Sequence, residues 1–309
     1  MSEDRTIVIT GATDGLGKGL ATELAPGGGR LILHGRNEEK GRALIEELRP
    51  RATGELEWRR ADIDSLDEVR DLADSLTGEE RIDVLVNNAG IGSARPGDGD
   101  RLESADGYEL RFAVNYLAPF LLTRRLLALL ERSAPARIVN VSSAGQAPID
   151  FDDVMLERAY SGIQAYCQSK LALVMFTFDL AEELEGSGVS ANCLHPGTYM
   201  PTNMVRAAGV EPVTPLEDGV AATLRLIASP ELDGVNGHYF DGTRESAPQP
   251  QAEDPEARRR LRELSDMGGA MKADPQALAE LSVRHELEMQ PDTVPELLER
   301  FDLVVGESL

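Results

Sequence analysis

The sequence predicts an α/β protein built on one doubly wound parallel sheet of about seven strands, with helices on both faces and a helical C-terminal extension. Three observations carry this. Short apolar or β-branched runs alternate with longer segments of helical period, which is the rhythm of right-handed βαβ units. The runs Ile7-Val8-Ile9 and Asp83-Val84-Leu85-Val86 are apolar without alternation, as strands buried on both faces should be. Finally, 309 residues with 41% apolar side chains suffice for one large domain with a packed core.

Strands are expected at 6–10, 30–34, 56–60, 84–87, 137–142, 190–195 and 237–240. Helices are expected at 15–25, 38–49, 66–76, 108–131, 160–184 and 217–227. After Asp241-Gly242 the alternation stops. Pro248, Gln249, Pro250 and Gln251 form a breaker-rich connector, and helical patterns follow at 254–267, 275–288 and 294–305. Residues 1–245 therefore read as the sheet domain and 246–309 as the extension. Residues 243–309 hold 15 acidic and 8 basic side chains, net −7, which suits a solvated appendage, a lid or a subunit-packing element.

Formal charge over the whole chain is −23, which argues against nucleic acid or an anionic membrane surface as partner. Cys167 and Cys193 match no metal or redox spacing, so two buried thiols are expected, with a single disulfide as the alternative, and no metal site. The charged N-terminus lacks the pattern of a signal peptide. The strongest apolar run, 117–130, is interrupted by Arg124 and Arg125, so no membrane span and a cytoplasmic location are expected.

The ends of the strands carry the chemistry, in chain order. Strand one enters Thr10-Gly11-Ala12-Thr13-Asp14-Gly15-Leu16-Gly17, a glycine triplet that also opens the first helix. Glycines there let backbone N–H groups approach a dinucleotide pyrophosphate, and the helix N-terminus favours its charge. Strand two ends His34-Gly35-Arg36-Asn37, where an acidic side chain would hold an unphosphorylated ribose; none is present. Arg36 suits a 2′-phosphate instead, which favours NADP(H) over NAD(H), unless it is only a solvated cation leading the helix. Asp14 counts slightly against NADP(H), since its carboxylate lies in the same region. Asp62 ends strand three and is placed either to accept from the adenine amino group or to cap the helix that follows Ser65. Tyr166 and Lys170 stand at i and i+4 on one helical face, so that an ammonium can sit beside a phenol and draw its pKa down from about 10. His195 precedes Pro196 at the end of strand six, a position that favours a loop role over a catalytic one.

These motifs, in this order, resemble the short-chain dehydrogenase/reductase superfamily over about residues 5–245. The matching segments are the turn Thr10 to Gly17, Asn87-Asn88-Ala89-Gly90, Asn115 within Phe-Ala-Val-Asn-Tyr, Ser142-Ser143, Tyr166-x-x-x-Lys170 and His195-Pro196-Gly197-Thr198. Each alone is common; six in register are specific. The stretch from Ile149 to Ala165 and the sequence around His238-Tyr239-Phe240 resemble the retinol-dehydrogenase-like branch. The membrane-bound members of that branch carry an N-terminal anchor that this sequence does not show, and the last forty or so residues exceed the usual length, so a retinoid substrate is not implied.

The resemblance implies a Rossmann-type fold and hydride transfer between a nicotinamide and a carbonyl/alcohol pair, with Asn115, Ser143, Tyr166 and Lys170 as the candidate catalytic set. Ser143 would donate to the carbonyl oxygen and Tyr166 would supply the proton. Lys170 would lower the tyrosine pKa and hold the nicotinamide ribose, and Asn115 would anchor a water leading to solvent. Cofactor contacts are expected from Gly11, Thr13, Asp14, Gly15, Leu16, Gly17, Arg36, Asp62 and Ile63. Further contacts are expected from Asn88, Ala89, Gly90, Tyr166, Lys170, Pro196, Gly197 and Thr198. Substrate contacts fall to 146–164, which is acidic, and to 199–215, where Tyr199, Met200, Met204 and Val205 suit a bulky apolar carbonyl or alcohol. A homodimer or homotetramer is compatible with all of this. Two other functions stay open: a nucleotide-sensing module without turnover, and a relative that uses the Tyr–Lys pair for dehydration, epimerisation or cyclisation.

Overall fold

The computed structural model describes residues 5–93 and 101–266. Its centre is an eight-stranded sheet in the order β3-β2-β1-β4-β5-β6-β7-β8. The strands are β1 (Thr6–Ile9), β2 (Arg30–Gly35), β3 (Glu55–Arg60), β4 (Val84–Asn87), β5 (Ala136–Val141), β6 (Val189–His195), β7 (Tyr239–Asp241) and β8 (Arg244–Glu245). The first seven are parallel, while β8 turns back antiparallel on β7 through Gly242, whose φ of 58° suits glycine. This two-residue strand is the one beyond the seven expected. The strand order reverses between β1 and β4, so their carboxyl ends diverge and leave a crevice there.

The helices are α1 (Gly15–Leu24), α2 (Glu38–Leu48), α3 (Leu66–Thr77), α4 (Leu110–Arg132), α5 (Gly162–Glu183), α6 (Asn203–Ala207), α7 (Leu216–Ala228) and α8 (Pro255–Ser265). On one face α1, α2 and α7 close over Ile7, Ile9, Leu33, Val86 and Val139. On the other lie α3, α4 and α5, the last packed directly on β6. Three helix starts obey their sequence signals: Asn37, Ser65 and Ser161 each accept a first-turn N–H with the side chain. Ser161 thereby starts α5 at Gly162 rather than at Tyr160. Helix α4 departs from regularity, because residues Ala113–Leu117 form a π-helical turn centred on Asn115. It is also longer and more apolar than the interrupted run 117–130 suggests, enough in composition to cross a membrane, but 78% of that apolar window is buried inside the fold.

A buried polar row crosses the middle of the sheet. Asn87 Nδ2 donates to Asn140 Oδ1 (2.8 Å) and Thr123 Oγ1 (3.0 Å), and Asn140 Nδ2 donates to Thr177 Oγ1 (2.9 Å), so amides tie β4 and β5 to α4 and α5. At the opposite edge, Trp58 of β3 lies on Gly41 and Gly35, where a Cβ on either would overlap or crowd the indole, and its Nε1 donates to Glu38 (2.8 Å).

The compact unit runs past the last strand to Glu263. Helix α8 realises the pattern expected at 254–267 and docks on α5: Arg262 grips Asp179 (2.9 and 3.0 Å), Arg258 pairs with Glu182, and Leu261 is buried. The helices expected at 275–288 and 294–305 lie outside the described residues.

Replacing Asn140 by Leu strands the amide donors and hydroxyls it links and should cost about 1–3 kcal/mol. Urea unfolding reads this as a lower midpoint at unchanged slope; an unmoved midpoint would show that the row carries no stability.

Candidate active site

The site is assembled along the carboxyl ends of β1, β4, β5 and β6. Its first wall is the glycine turn. Gly11 (φ 68°) and Gly15 (φ 49°) occupy the left-handed region, and a Cβ on Gly11 would stand 2.8 Å from Ala89 Cα. Gly17 lies so close to Gly11 O and Asn88 Nδ2 that any side chain would overlap both. Asn88 Nδ2 donates to Thr10 O (2.8 Å) and Gly11 O (3.1 Å), while Thr10 Oγ1 accepts from the amides of Asn88 and Ala89 (3.0 Å each). The loops after β1 and β4 are thus stitched into one surface. Leu16 turns its side chain into the core, so it offers the site only backbone. Helix α1 has no side-chain cap and no acidic residue in its first turn, which leaves its N–H groups and partial positive charge suited to a phosphate.

Asp14 is committed elsewhere. Its Oδ2 accepts from Asn203 N (3.0 Å) and its Oδ1 lies 4.0 Å from Arg206, so the carboxylate anchors the segment after β6 and not the tip of β2. Thr202 Cγ2 of that segment fills the space above Gly15. Thr13 faces Gly35, and Arg36 is exposed, its guanidinium making no hydrogen bond or ion pair among the described residues. The nearest helix carboxylate, Glu38, is already held by Arg42 (2.8 Å) and Trp58. Of the two readings of Asp62, capping belongs to Ser65, and the Asp62 amide donates to Glu68 (2.7 Å), with Ile63 half-buried beside it. Beyond β6, Pro196 is buried, Gly197 packs against Thr214, and Thr198 N donates to Thr214 Oγ1 (3.0 Å). His195 reaches Thr198 Oγ1 (3.1 Å) and burial lowers its pKa, consistent with the loop role expected.

The second wall gathers the candidate catalytic residues. Ser143 follows β5; its Oγ accepts from Gly145 N (3.0 Å), and its hydroxyl stands close enough to the Tyr166 phenol to act on its pKa. Lys170, one turn after Tyr166, is buried. Its Nζ donates to Val141 O (3.0 Å), and its backbone O accepts from Ser142 Oγ (2.9 Å). Asn115 meets the loop after β4 through both ends of its amide: Oδ1 accepts from Ile91 N (2.8 Å), and Nδ2 donates to Ile91 O (3.1 Å) and Ser169 Oγ (3.0 Å). Gly90 leaves room for this, since a Cβ there would stand 3.0 Å from Asn115 Oδ1 and 3.4 Å from Lys170 Nζ.

The electrostatics differ from expectation in one respect. Burial pushes the Tyr166 phenol above its usual pKa, opposed by the Ser143 hydrogen bond. Lys170 is not among the groups that lower it: its Nζ is 6.0 Å from the ring centroid, and burial drops its own pKa to about 8. Desolvation therefore outweighs the attraction that the i, i+4 spacing suggests. Both cysteines are free thiols, and burial raises Cys193 to about 12.

Sequence reasoning missed several neighbours. Tyr239 on β7 donates to Ser143 O (3.1 Å), as does Gln146 Nε2 (2.8 Å). Arg111 reaches Gly92 O (2.9 Å), Ser93 O (3.1 Å) and Tyr160 Oη (2.5 Å), and Tyr160 donates to Glu109 (3.2 Å). Nothing in the spacing of these residues announces such contacts. Leu156 (φ 51°) and Tyr199 (φ 47°), the non-glycine residues found at positive φ, lie one in each substrate-side segment, where backbone strain marks function more often than chance.

The charged form of Lys170 is disfavoured by folding, so stability should rise with pH between about 8 and the ordinary value of 10.5, where the unfolded chain still holds the proton. In Lys170→Met that rise is lost. Urea unfolding of both proteins at the two ends of this window would reveal it, and a constant difference between them would show that the amine is not desolvated.

A family model described as short chain dehydrogenase matches residues 5–211. Retinol dehydrogenase 13 of Homo sapiens is 40% identical over 277 residues, covering 83% of this chain and 82% of the relative. Retinol dehydrogenase 14 of Homo sapiens is 39% identical over 300 residues, covering 87% of each. Among solved structures, the Pseudomonas aeruginosa RhlG/NADP active-site complex superposes with a TM-score of 0.63 at 26% identity, over 77% of this chain and 94% of that one. The Escherichia coli oxidoreductase YciK gives 0.63 at 27%, over 78% and 96%. With its glycine turn, its Ser143–Tyr166 contact and its buried Lys170 in the places the motifs require, the chain belongs to the short-chain dehydrogenase family of oxidoreductases, in the retinol-dehydrogenase-like branch.

Proposed function

We propose that this protein is an NADP-dependent ketoreductase or alcohol dehydrogenase acting on an apolar small molecule, with Tyr166 as general acid and base. The observation that carries this is the grouping of Ser143, Tyr166 and buried Lys170 on the same sheet edge as the glycine turn.

The residues fit a dinucleotide. The Gly11–Gly17 turn would hold the pyrophosphate, Asp62 and Ile63 the adenine end, and Gly90, Lys170 and 196–198 the nicotinamide end. When bound, the cofactor supplies the hydride in reduction and accepts it in oxidation. The chain manages the oxygen and the proton. Ser143 accepts from Gly145 N, and its own O–H is the donor it would offer to a substrate oxygen as negative charge develops. Tyr166, its pKa raised by burial, stands protonated at neutral pH and can give that proton to the oxygen. Lys170, with its Nζ 6.0 Å from the centroid of that ring, would hold the nicotinamide ribose. Asn115 fixes Ile91 and the loop after β4 beside them.

Two arguments favour NADP. Arg36 is exposed and makes no side-chain hydrogen bond or ion pair among the described residues, while Glu38 is engaged by Arg42 and Trp58, so the tip of β2 offers a cation. The related solved structure with NADP supports the same choice. An apolar substrate is supported by the segment after β6, where Tyr199 is 50% and Val213 68% exposed, and by relatives named for retinol. The net charge of −23 supports a protein that avoids nucleic acid and anionic membrane, and a cytoplasmic location with self-association goes with this reading.

Tyr166→Phe should lower kcat by about 10²–10⁴-fold with NADPH affinity nearly intact; turnover at the wild-type rate would remove the role assigned to the phenol. Arg36→Leu should cost about tenfold or more in kcat/KM with NADPH and little with NADH. Equal losses with both cofactors, or a wild-type preference for NADH, would overturn the 2′-phosphate reading.

A further inference from the structure

The connector Pro248-Gln249-Pro250-Gln251 looks like punctuation between sheet and tail, yet it returns to the loop that follows Ser143. Gln251 Oε1 accepts from Ile149 N (2.7 Å), and its Nε2 donates to Ile149 O (3.2 Å), so one side-chain amide serves both groups of a buried residue much as a neighbouring strand would. The backbone N of Gln249 donates to Gln146 Oε1 (2.9 Å), and Gln146 Nε2 donates to Ser143 O (2.8 Å). Farther along, the Arg260 guanidinium lies 4.6 Å from the centroid of the Phe151 ring. Residues 146, 149 and 151 are therefore all held by chain that lies beyond the last strand.

That clamp is itself rigid and anchored. The prolines fix φ on either side of Gln249, whose side chain accepts from Gln251 N (2.6 Å). Ala252 is wholly buried, and Arg258 and Arg262 fasten the following helix to Glu182 and Asp179 at the far end of α5, the helix that carries Tyr166 and Lys170. Force on the loop is thus referred to the same rigid body that places the phenol.

We infer that Gln251 is a positioning residue: it fixes the loop 144–158 against the body of the protein, and thereby sets both the placement of Ser143 and the substrate-side wall. This rests on the role given to Ser143 above. The predicted consequence is kinetic, because a misplacement of about 1 Å at a reacting group costs on the order of 10²-fold.

The test uses the full chain with Gln251→Leu, which removes both bonds, and Gln251→Glu, which keeps an acceptor and can donate only when protonated. For Gln251→Leu, kcat/KM for an apolar ketone should fall about tenfold or more while KM for NADPH stays within about twofold. The deficit of Gln251→Glu relative to wild type should narrow as pH falls from about 8 towards 5, a signature that a merely structural role would not give. Unchanged kcat/KM in Gln251→Leu, with Tyr166→Phe inactive, overturns this inference and leaves the proposed function standing. If wild type turns over no ketone with NADPH, the proposed function is what fails. Hydrogen exchange across 144–158 then decides the clamp: about tenfold faster exchange in Gln251→Leu supports it, and unchanged exchange overturns it. Should Gln251→Leu fold poorly, Arg260→Gln, which removes the contact with Phe151 and the attraction to exposed Glu256, should raise KM for a bulky ketone by about twofold or more; an unchanged KM counts against the clamp.

Discussion

The Asn88 side chain donates to the carbonyls of Thr10 and Gly11, and the geometry at the carboxyl edge of the sheet is registered through this contact. Strand order reverses between β1 and β4, so the loops after them would otherwise splay apart. Asn88 closes them into one surface, and Gly11 and Gly17 lack side chains because no atom fits between those loops and the start of α1. Gly90 and Ile91 follow on the same loop, where the Asn115 amide takes them up and leads to Ser169 on α5. One chain of amides thus fixes the distance from the glycine turn to the helix bearing Tyr166 and Lys170. The π turn at Ala113–Leu117 belongs to this arrangement, since it lies where Asn115 leaves the regular helix to grip the loop.

The site is built on competing costs of burial. Lys170 is placed where a charged amine is expensive, and Tyr166 where a phenolate is, so each neutral form gains on folding. The compensating groups are the Ser143 hydroxyl beside the phenol and the hydrogen bond from Lys170 to Val141 O. At neutral pH the tyrosine keeps its proton, and the amine, lowered to about 8, still keeps most of its own.

Much of this was legible in the sequence. All seven long-range strands, the glycine turn and the Tyr–Lys face follow from apolar runs and fixed spacings, which are local properties of the chain. What escaped depends on distant partners. The strand β8 is two residues long and has no pattern to detect. The π turn at Ala113–Leu117 is apolar but for Asn115 and Tyr116 and buried throughout, so helical period could not reveal a change of pitch there. That Asp14 also anchors the segment after β6 could not be read from spacing, since its partner, the amide of Asn203, is 189 residues away. The direction of the Tyr166 shift was misread because spacing gives the charge partner and not the depth of burial. The arginines of α8 resembled a solvated face, whereas Arg258 and Arg262 meet acids on α5.

The indole of Trp58, the one tryptophan in 309 residues, rests against Gly35 and Gly41 within reach of Thr13 on the glycine turn. The chain's single indole, which can be excited apart from its six tyrosines, thereby stands at the end of the crevice where β2 and β3 stop. Its emission is an address-specific signal, so occupancy of that end can be followed optically in the unlabelled protein, independently of whether any chemistry takes place at the other.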